Sequence, residues 1–333
     1  MNLQEIAAIM TGNSKGILAA DESNGTCGKR FDSVGIEKTE ENRRLYRQTL
    51  LTTPELENYI GGVILYDETF FQKTDDGKPF PELLLEKGIM PGIKVDMGLK
   101  DLVNFPNEKH TSGLDGLRER LANYAKNGAK FAKWRAALTI TEELPSHNAI
   151  HTSAHELAHY AALCQEAGIV PIVEPEVLIN GDHTIERSEE VMIDVLATVF
   201  KELKEFKVDL SGIVLKPSMV IAGSECPNQA SVAEVAEKTV KVLKECVPAE
   251  VPGIAFLSGG QTEVQATENL NEMNAKNSDL PWNLTFSYGR ALQASALKKF
   301  AKNDIEGAQK ALLHRAKMNS LACQGKYSSA DED

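Results

Sequence analysis

The chain is expected to fold as a single α/β domain, a closed (β/α)8 TIM barrel. Eight short apolar or β-branched runs recur at intervals of roughly 30 to 45 residues, and stretches with apolar residues three and four apart lie between them. Alternating short strands and longer helices build a parallel sheet covered on its outer face. Eight such units within 333 residues favour closure over an open doubly wound sheet, and no GxGxxG turn follows the first run.

The elements follow in order. A helix-like segment, Gln4 to Met10, precedes the first strand and is expected on the outside or bottom of the barrel. The strands are Gly16 to Ala20, Ile60 to Tyr66, Gly92 to Val95, Lys130 to Trp134, Ile169 to Val173, Gly212 to Leu215, Gly253 to Leu257 and Leu284 to Phe286. Each is followed by turn residues. Helical periodicity marks Leu114 to Gly128, His151 to Gly168, Ser188 to Phe206, Ser231 to Cys246 and Thr262 to Lys276, with glycine ending several of them. Asn104 to Gly116 is polar and reads as a loop. From Lys317 onward the periodicity fades toward SSADED, so the barrel is expected over 1–316 and a mobile acidic tail over 317–333.

Composition narrows the function. A net charge of -12, from 36 basic and 48 acidic residues, argues against a nucleic-acid surface but leaves room for a local cationic pocket. The five cysteines form no CxxC pair and fit a reducing compartment. No run approaches a membrane span, and the start MNLQEIAAIM has neither the basic flank nor the apolar stretch of a signal peptide. A cytoplasmic location is expected, or a plastid if a presequence had been removed.

In such a barrel the active site lies at the carboxyl ends of the strands. Charges fall there: Asp21 and Glu22 after ILAA, Asp67 and Glu68 after VILY, Lys94 and Asp96 in GIKVD, Lys133 and Arg135 in FAKWR, Glu174 and Glu176 in VEPE, and Lys216 in VLKP. Period-two alternation puts Lys133 and Arg135 on one face and turns Trp134 toward the helices. A ring of static salt bridges would prefer arginine, whereas lysine is the residue whose pKa can be driven down for use as a nucleophile. Moving a lysine pKa from about 10.4 to about 7 costs roughly 4 to 5 kcal/mol, which a second ammonium and an apolar wall can supply. Lys133 and Lys216 are placed to do this for each other, with Glu174 near enough to carry protons. The chemistry that follows is amine catalysis through an iminium.

Two anion loci flank that cluster. Ser258, Gly259 and Gly260 offer a hydroxyl and unhindered backbone N–H groups where a strand turns toward a helix, and Arg290 follows the last strand. A second locus is expected from Lys94, Lys29 and Arg30 with Ser23 and Thr26. Two anion sites around a reactive lysine imply a substrate phosphorylated at both ends.

HELAH, from His155 to His159, has the HExxH form of a zinc site, and His151 adds a third histidine to the stripe. The stripe lies beside the helix's apolar face, no third ligand has a convincing context, and surface histidines are expected instead. His183 is read as a loop residue, and Trp282 and Tyr288 as packing groups.

The segments LAADES, GIKVD, FAKWR, PIVEPE, LKPSMV, FLSGGQ, SYGRALQASALK and SLACQGKY, in this order, resemble class I fructose-bisphosphate aldolase over nearly the whole chain. The resemblance implies that Lys216 forms a Schiff base with the C2 ketone of fructose 1,6-bisphosphate and that Glu174 is the acid/base for the carbinolamine. It assigns Asp21 and Lys133 to the C4 hydroxyl, with Arg135 and Glu176 supporting them. One phosphate falls to Ser258, Gly259 and Arg290, and the other to Ser23, Thr26 and Lys94 with Lys29 and Arg30 in reach. It implies no cofactor and no metal, a homotetramer, and neither nucleic-acid nor membrane partners. Many members end in a tyrosine that returns a proton to the enamine. Here the last tyrosine is Tyr327, so another group or Tyr327 itself is expected in that role.

Two other readings compete: a Schiff-base barrel acting on a phosphorylated ketose with one phosphate, and a barrel kept for assembly. The intact lysines and both anion loci argue for the bisphosphate enzyme. His155→Ala should leave steady-state turnover near wild type, and an inactive but folded variant would revive the zinc site.

Overall fold

The computed structural model describes residues 1–332. Its strands are β1 (Gly16–Ala20), β2 (Ile60–Leu65), β3 (Met90–Lys94), β4 (Leu99–Asp101), β5 (Lys109–Thr111), β6 (Phe131–Leu138), β7 (Val170–Val177), β8 (Val214–Leu215), β9 (Gly253–Phe256) and β10 (Asn283–Tyr288). All but β4 and β5 pair in parallel and close as β1-β10-β9-β8-β7-β6-β3-β2. The expected (β/α)8 barrel is therefore present, with helices on its outer face.

The expected runs underestimate β6 and β7. Lys133 and Arg135, then Glu174 and Glu176, break the apolar pattern, yet the two strands stay paired from Phe131↔Val170 to Leu138↔Val177. These charged residues extend the strands beyond the hydrophobic layer instead of ending them. The reading of 104–116 as loop is also incomplete: Lys109–Thr111 pairs antiparallel with Leu99–Asp101. Strands of three polar residues carry no alternation long enough to detect.

Apolar residues fill two layers. Between strands and helices, Trp134 turns outward and stacks on Tyr160, with ring centroids 5.6 Å apart. Inside the barrel, Phe131 fills the lumen, and Gly92 makes room for it, since an added Cβ would lie 2.2 Å from the ring. The helix Leu3–Thr11, opened by an Asn2 capping box, closes the barrel's lower end. Its Ile6, Ala7 and Met10 join Ile17, Ile64, Phe131 and Val214 in one buried cluster.

The last helix spans Ile305–Ala322, so the boundary expected at 317 falls inside it. Buried polar groups hid the continuation from the apolar pattern. Asn319 donates to the Arg315 carbonyl at 2.8 Å and accepts from Thr267 Oγ1 at 3.0 Å. Beyond the helix Tyr327 is buried too, and Ser329–Glu332 form a 3-10 turn.

The lower closure depends on a bare backbone contact. A Cβ at Gly61 would lie 2.3 Å from the Ile9 carbonyl oxygen. Gly61→Ala should cost about 1–3 kcal/mol in urea unfolding. An unchanged unfolding midpoint would show that the helix is free to move off the barrel.

Candidate active site

The strand ends converge on one cavity of about 1170 Å³ at the upper mouth of the barrel. Asp21 follows β1, Lys94 ends β3, Lys133 and Arg135 lie within β6, Glu174 and Glu176 lie within β7, and Lys216 follows β8. Each strand feeds its next turn into the mouth, so residues scattered from 21 to 290 share one wall.

At its floor, four ionisable groups form a chain. Lys133 Nζ lies 2.7 Å from Asp21 Oδ2 and 3.3 Å from Glu174 Oε2, and Lys216 Nζ lies 3.1 Å from Glu174 Oε1. The side chains of Lys133, Glu174 and Lys216 are only 4–5% exposed. Burial works against the charge on Lys133, but Asp21, Glu174 and Asp96 outweigh it and raise its pKa. Lys133 is thus a standing cation, which corrects the expectation that its pKa would be driven down beside Lys216. The physical reason is count, because Lys133 is faced by the carboxylates of both Asp21 and Glu174.

Asp21 follows from the same geometry. Burial pushes its carboxyl up, but Lys133, then Lys216 and Lys94, bring it from 3.8 down to about 2. A carboxyl depressed in this way stabilises the fold above its unfolded value, and that contribution is lost as pH falls through about 2. Above this layer Arg135 pairs with Glu176 across β6 and β7. Burial opposes the Arg135 charge, and Glu176 more than compensates.

The residues expected as the first anion locus lie after β9 and β10 and line the cavity. Gly259 and Gly260 adopt φ of 53° and 88°, left-handed values that favour glycine, so the turn after Ser258 closes against Arg290 without side-chain bulk. Arg290 opens the helix Arg290–Phe300, whose N-terminal dipole end faces the cavity with Gly289. Those expected as the second begin after β1, where Ser23 caps the helix Asn24–Asp32 by accepting from Thr26 N. Ser23, Thr26, Arg30 and Lys94 all line the cavity. Their cations are already engaged: Lys94 Nζ lies 2.6 Å from Asp96 Oδ1, and Arg30 pairs with Glu22.

Lys29 does not join them. It is exposed, on the side of the helix opposite the buried Cys27, Gly28 and Phe31. Helical period sets this, because one residue's step from Arg30 turns a side chain by about 100°. Glu22 and Asp96, named among the strand-end charges but given no role, also line the cavity. Their signal was present, since both are charges just past a strand. Arg47, which pairs with Glu22 at 2.7 Å, had no comparable signal because the helix Glu40–Leu51 that carries it was not anticipated.

The histidine motif divides. Glu156 accepts from Thr111 N at 2.9 Å and faces His110, while half-exposed His155 faces Glu202 on the neighbouring helix. His183 is buried in the loop after β7 and does not line the cavity, and its carbonyl accepts from Gly223 N. Trp282 and Tyr288 are packing groups whose polar atoms donate to the Pro248 and Ala266 carbonyls. Tyr327 also lies outside the cavity wall, and its hydroxyl donates to Glu332 at 2.8 Å.

Against known proteins, the family model "Glycolytic: Fructose-bisphosphate aldolase class-I" matches residues 2–333. The "Probable fructose-bisphosphate aldolase class 1" of Xanthomonas campestris pv. campestris is 55% identical over 329 residues, covering 98% of each chain. "Fructose-bisphosphate aldolase 1, chloroplastic" of Chlamydomonas reinhardtii is 51% identical over 332 residues, covering 99% of this chain and 87% of the relative. A solved structure of fructose-bisphosphate aldolase from Plasmodium falciparum, in complex with TRAP and a small-molecule inhibitor, superposes with a TM-score of 0.96. It shares 48% identity, over 98% of this chain and 95% of that one.

The ionic chain has a direct test. In Lys133→Met, burial acts on Asp21 with its strongest opponent removed, so carboxyl NMR titration should find the Asp21 pKa moved up from about 2. Turnover should fall by roughly 100-fold or more. An Asp21 pKa that stays near 2 would show that Lys133 is not what holds it ionised.

Proposed function

Because the chain belongs to the class I fructose-bisphosphate aldolase family, we propose that Lys216 is the lysine on which its reaction runs. The enzyme is a lyase of glycolysis and gluconeogenesis. It reversibly cleaves fructose 1,6-bisphosphate to dihydroxyacetone phosphate and glyceraldehyde 3-phosphate through a lysine Schiff base. The observation that carries the assignment is Glu174, whose two carboxylate oxygens lie 3.1 Å from Lys216 Nζ and 3.3 Å from Lys133 Nζ.

Glu174 Oε1 is placed to take the proton that Lys216 must lose before its amine can attack C2. The same carboxyl then gives a proton to the carbinolamine hydroxyl, which leaves as water. The resulting iminium withdraws electrons from the C3–C4 bond. Asp21, ionised down to about pH 2 beside the Lys133 ammonium, is an acceptor for the C4 hydroxyl and helps its deprotonation. As that proton leaves, the C3–C4 bond breaks, glyceraldehyde 3-phosphate departs and its electron pair becomes the enamine of dihydroxyacetone phosphate. Protonation at C3 and hydrolysis of the imine return free Lys216. Tyr327 is held by Glu332 away from the cavity wall, so a group within the wall is favoured for that last proton.

Arg135 and Glu176 brace the upper layer of this wall. The phosphate beside C2 is assigned to Ser258, Gly259, Gly260 and Arg290, and the far phosphate to Ser23, Thr26, Lys94 and Arg30. We further propose a homotetramer in the cytoplasm. No helix among the described residues is long and apolar enough to cross a membrane, and the chloroplastic relative keeps a plastid as the alternative location.

Dihydroxyacetone phosphate with borohydride should label Lys216, located by mass spectrometry, and EDTA should leave turnover unchanged. Lys216→Ala should abolish turnover, whereas Arg290→Ala should mainly raise KM. A label on any other lysine would overturn the assignment.

A further inference from the structure

Glu22 occupies the seam between the two anion loci. Asp21 turns into the mouth toward Lys133, and the next residue, Glu22, also lines the cavity but with its side chain only 6% exposed. One of its oxygens, Oε1, pairs with Arg30 Nη1 and accepts from Gln293 Nε2 at 3.2 Å. The other, Oε2, accepts from Arg47 Nη2 at 2.7 Å. Gln293 also donates to the Ala19 carbonyl at 2.6 Å and sits in the helix that Arg290 opens. One carboxylate thus ties the end of β1 to three helices: Asn24–Asp32 with Ser23 and Arg30, Glu40–Leu51 with Arg47, and Arg290–Phe300.

The two arginines are not equivalent. Arg47 is 3% exposed and does not line the cavity, while Arg30 is 24% exposed and does. One carboxylate between two guanidiniums leaves a net positive charge, and only Arg30 can present it to a ligand. Arg30 also reaches the other locus, because a Cβ on Gly289 would lie 3.7 Å from Arg30 Nη2 and 3.8 Å from Glu22 Oε1. Without Glu22 the two guanidiniums would repel, and Arg30 would lose its fixed place beside Gly289 and Thr26.

We infer that Glu22 is a positioning residue for phosphate binding, acting by holding Arg30 at the junction of the two loci. This rests on the reading of the cavity as a bisphosphate site. It also makes a prediction of sign. A carboxylate that acted only through its charge would weaken phosphate binding, so neutralising it would tighten binding. A carboxylate that fixes the arginine does the reverse.

The test measures KM for fructose 1,6-bisphosphate and the inhibition constant of inorganic phosphate in Glu22→Gln, Glu22→Asp, Arg30→Ala and the Glu22→Gln/Arg30→Ala double variant. Both constants should rise about tenfold in each Glu22 variant, the size of one lost charge-assisted hydrogen bond, with kcat falling less than KM rises. Glu22→Asp keeps the charge and loses only reach, so weakening there isolates geometry. Arg30→Ala leaves the Glu22–Arg47 pair intact, so it folds even if Glu22→Gln does not, and it should weaken phosphate by a similar factor. The double variant should be no weaker than Arg30→Ala. Tighter phosphate in Glu22→Gln, an unchanged constant in Arg30→Ala, or additive losses in the double variant would each overturn the inference. Borohydride trapping of wild-type Lys216 keeps the outcomes separate: if it fails, the functional reading fails, and if it succeeds while the phosphate constants do not move, only the role of Glu22 is lost.

Discussion

Glu174 places one carboxylate oxygen against Lys216 and the other against Lys133, in a wall where all three side chains are almost fully buried. Neither lysine can be buried there without a countercharge, and removing one partner of such an arrangement typically costs about 3–5 kcal/mol. The same contact that makes the wall tolerable is the one on which the proposed chemistry rests. A carboxylate shared between two buried lysines is the arrangement from which the proposed proton transfers start. Asp21 completes the balance on the far side of Lys133, so the four groups sum to neutrality when both lysines are ammonium.

The barrel supplies what this chain of charges needs. β6 and β7 run paired for their full length and carry Lys133 and Glu174 on rigid backbone, while β1 and β8 deliver Asp21 and Lys216 from either side. Positioning by strands matters because proton transfer tolerates little error in distance. Of the cations proposed for the far phosphate, Lys94 pairs with Asp96 and Arg30 with Glu22. Arg290 is exposed at the cavity edge and pairs with no carboxylate among the described residues. The two ends of the cavity therefore differ in how their cations are paired.

Most of the fold was legible because a parallel barrel repeats one simple pattern. Apolar runs such as Gly16 to Ala20 stand out against helical stretches such as Ser231 to Cys246. What escaped had no such pattern. The β4–β5 hairpin is short and polar, the helices Asn24–Asp32 and Glu40–Leu51 are rich in charge, and the helix Ile305–Ala322 buries Asn319 and Ser320. Charged strand ends were legible as a class, since a charge directly after an apolar run must find a partner or a use. Lys29 was misplaced because adjacent helical residues point in different directions, and that direction depends on how the helix docks.

By itself the sequence determined the barrel, the presence of lysines and carboxylates at its mouth, and, through the ordered motifs, the family and its Schiff-base chemistry. Only the tertiary structure decided which charge faces which. Lys133 became a fixed cation because Asp21, distant in the chain, folds to within 2.7 Å of it. Glu22 became a junction because three helices bring Arg30, Arg47 and Gln293 to one carboxylate. The reason is physical: a residue's type depends on its own atoms, but the balance between desolvation and pairing depends on neighbours that lie far away along the chain.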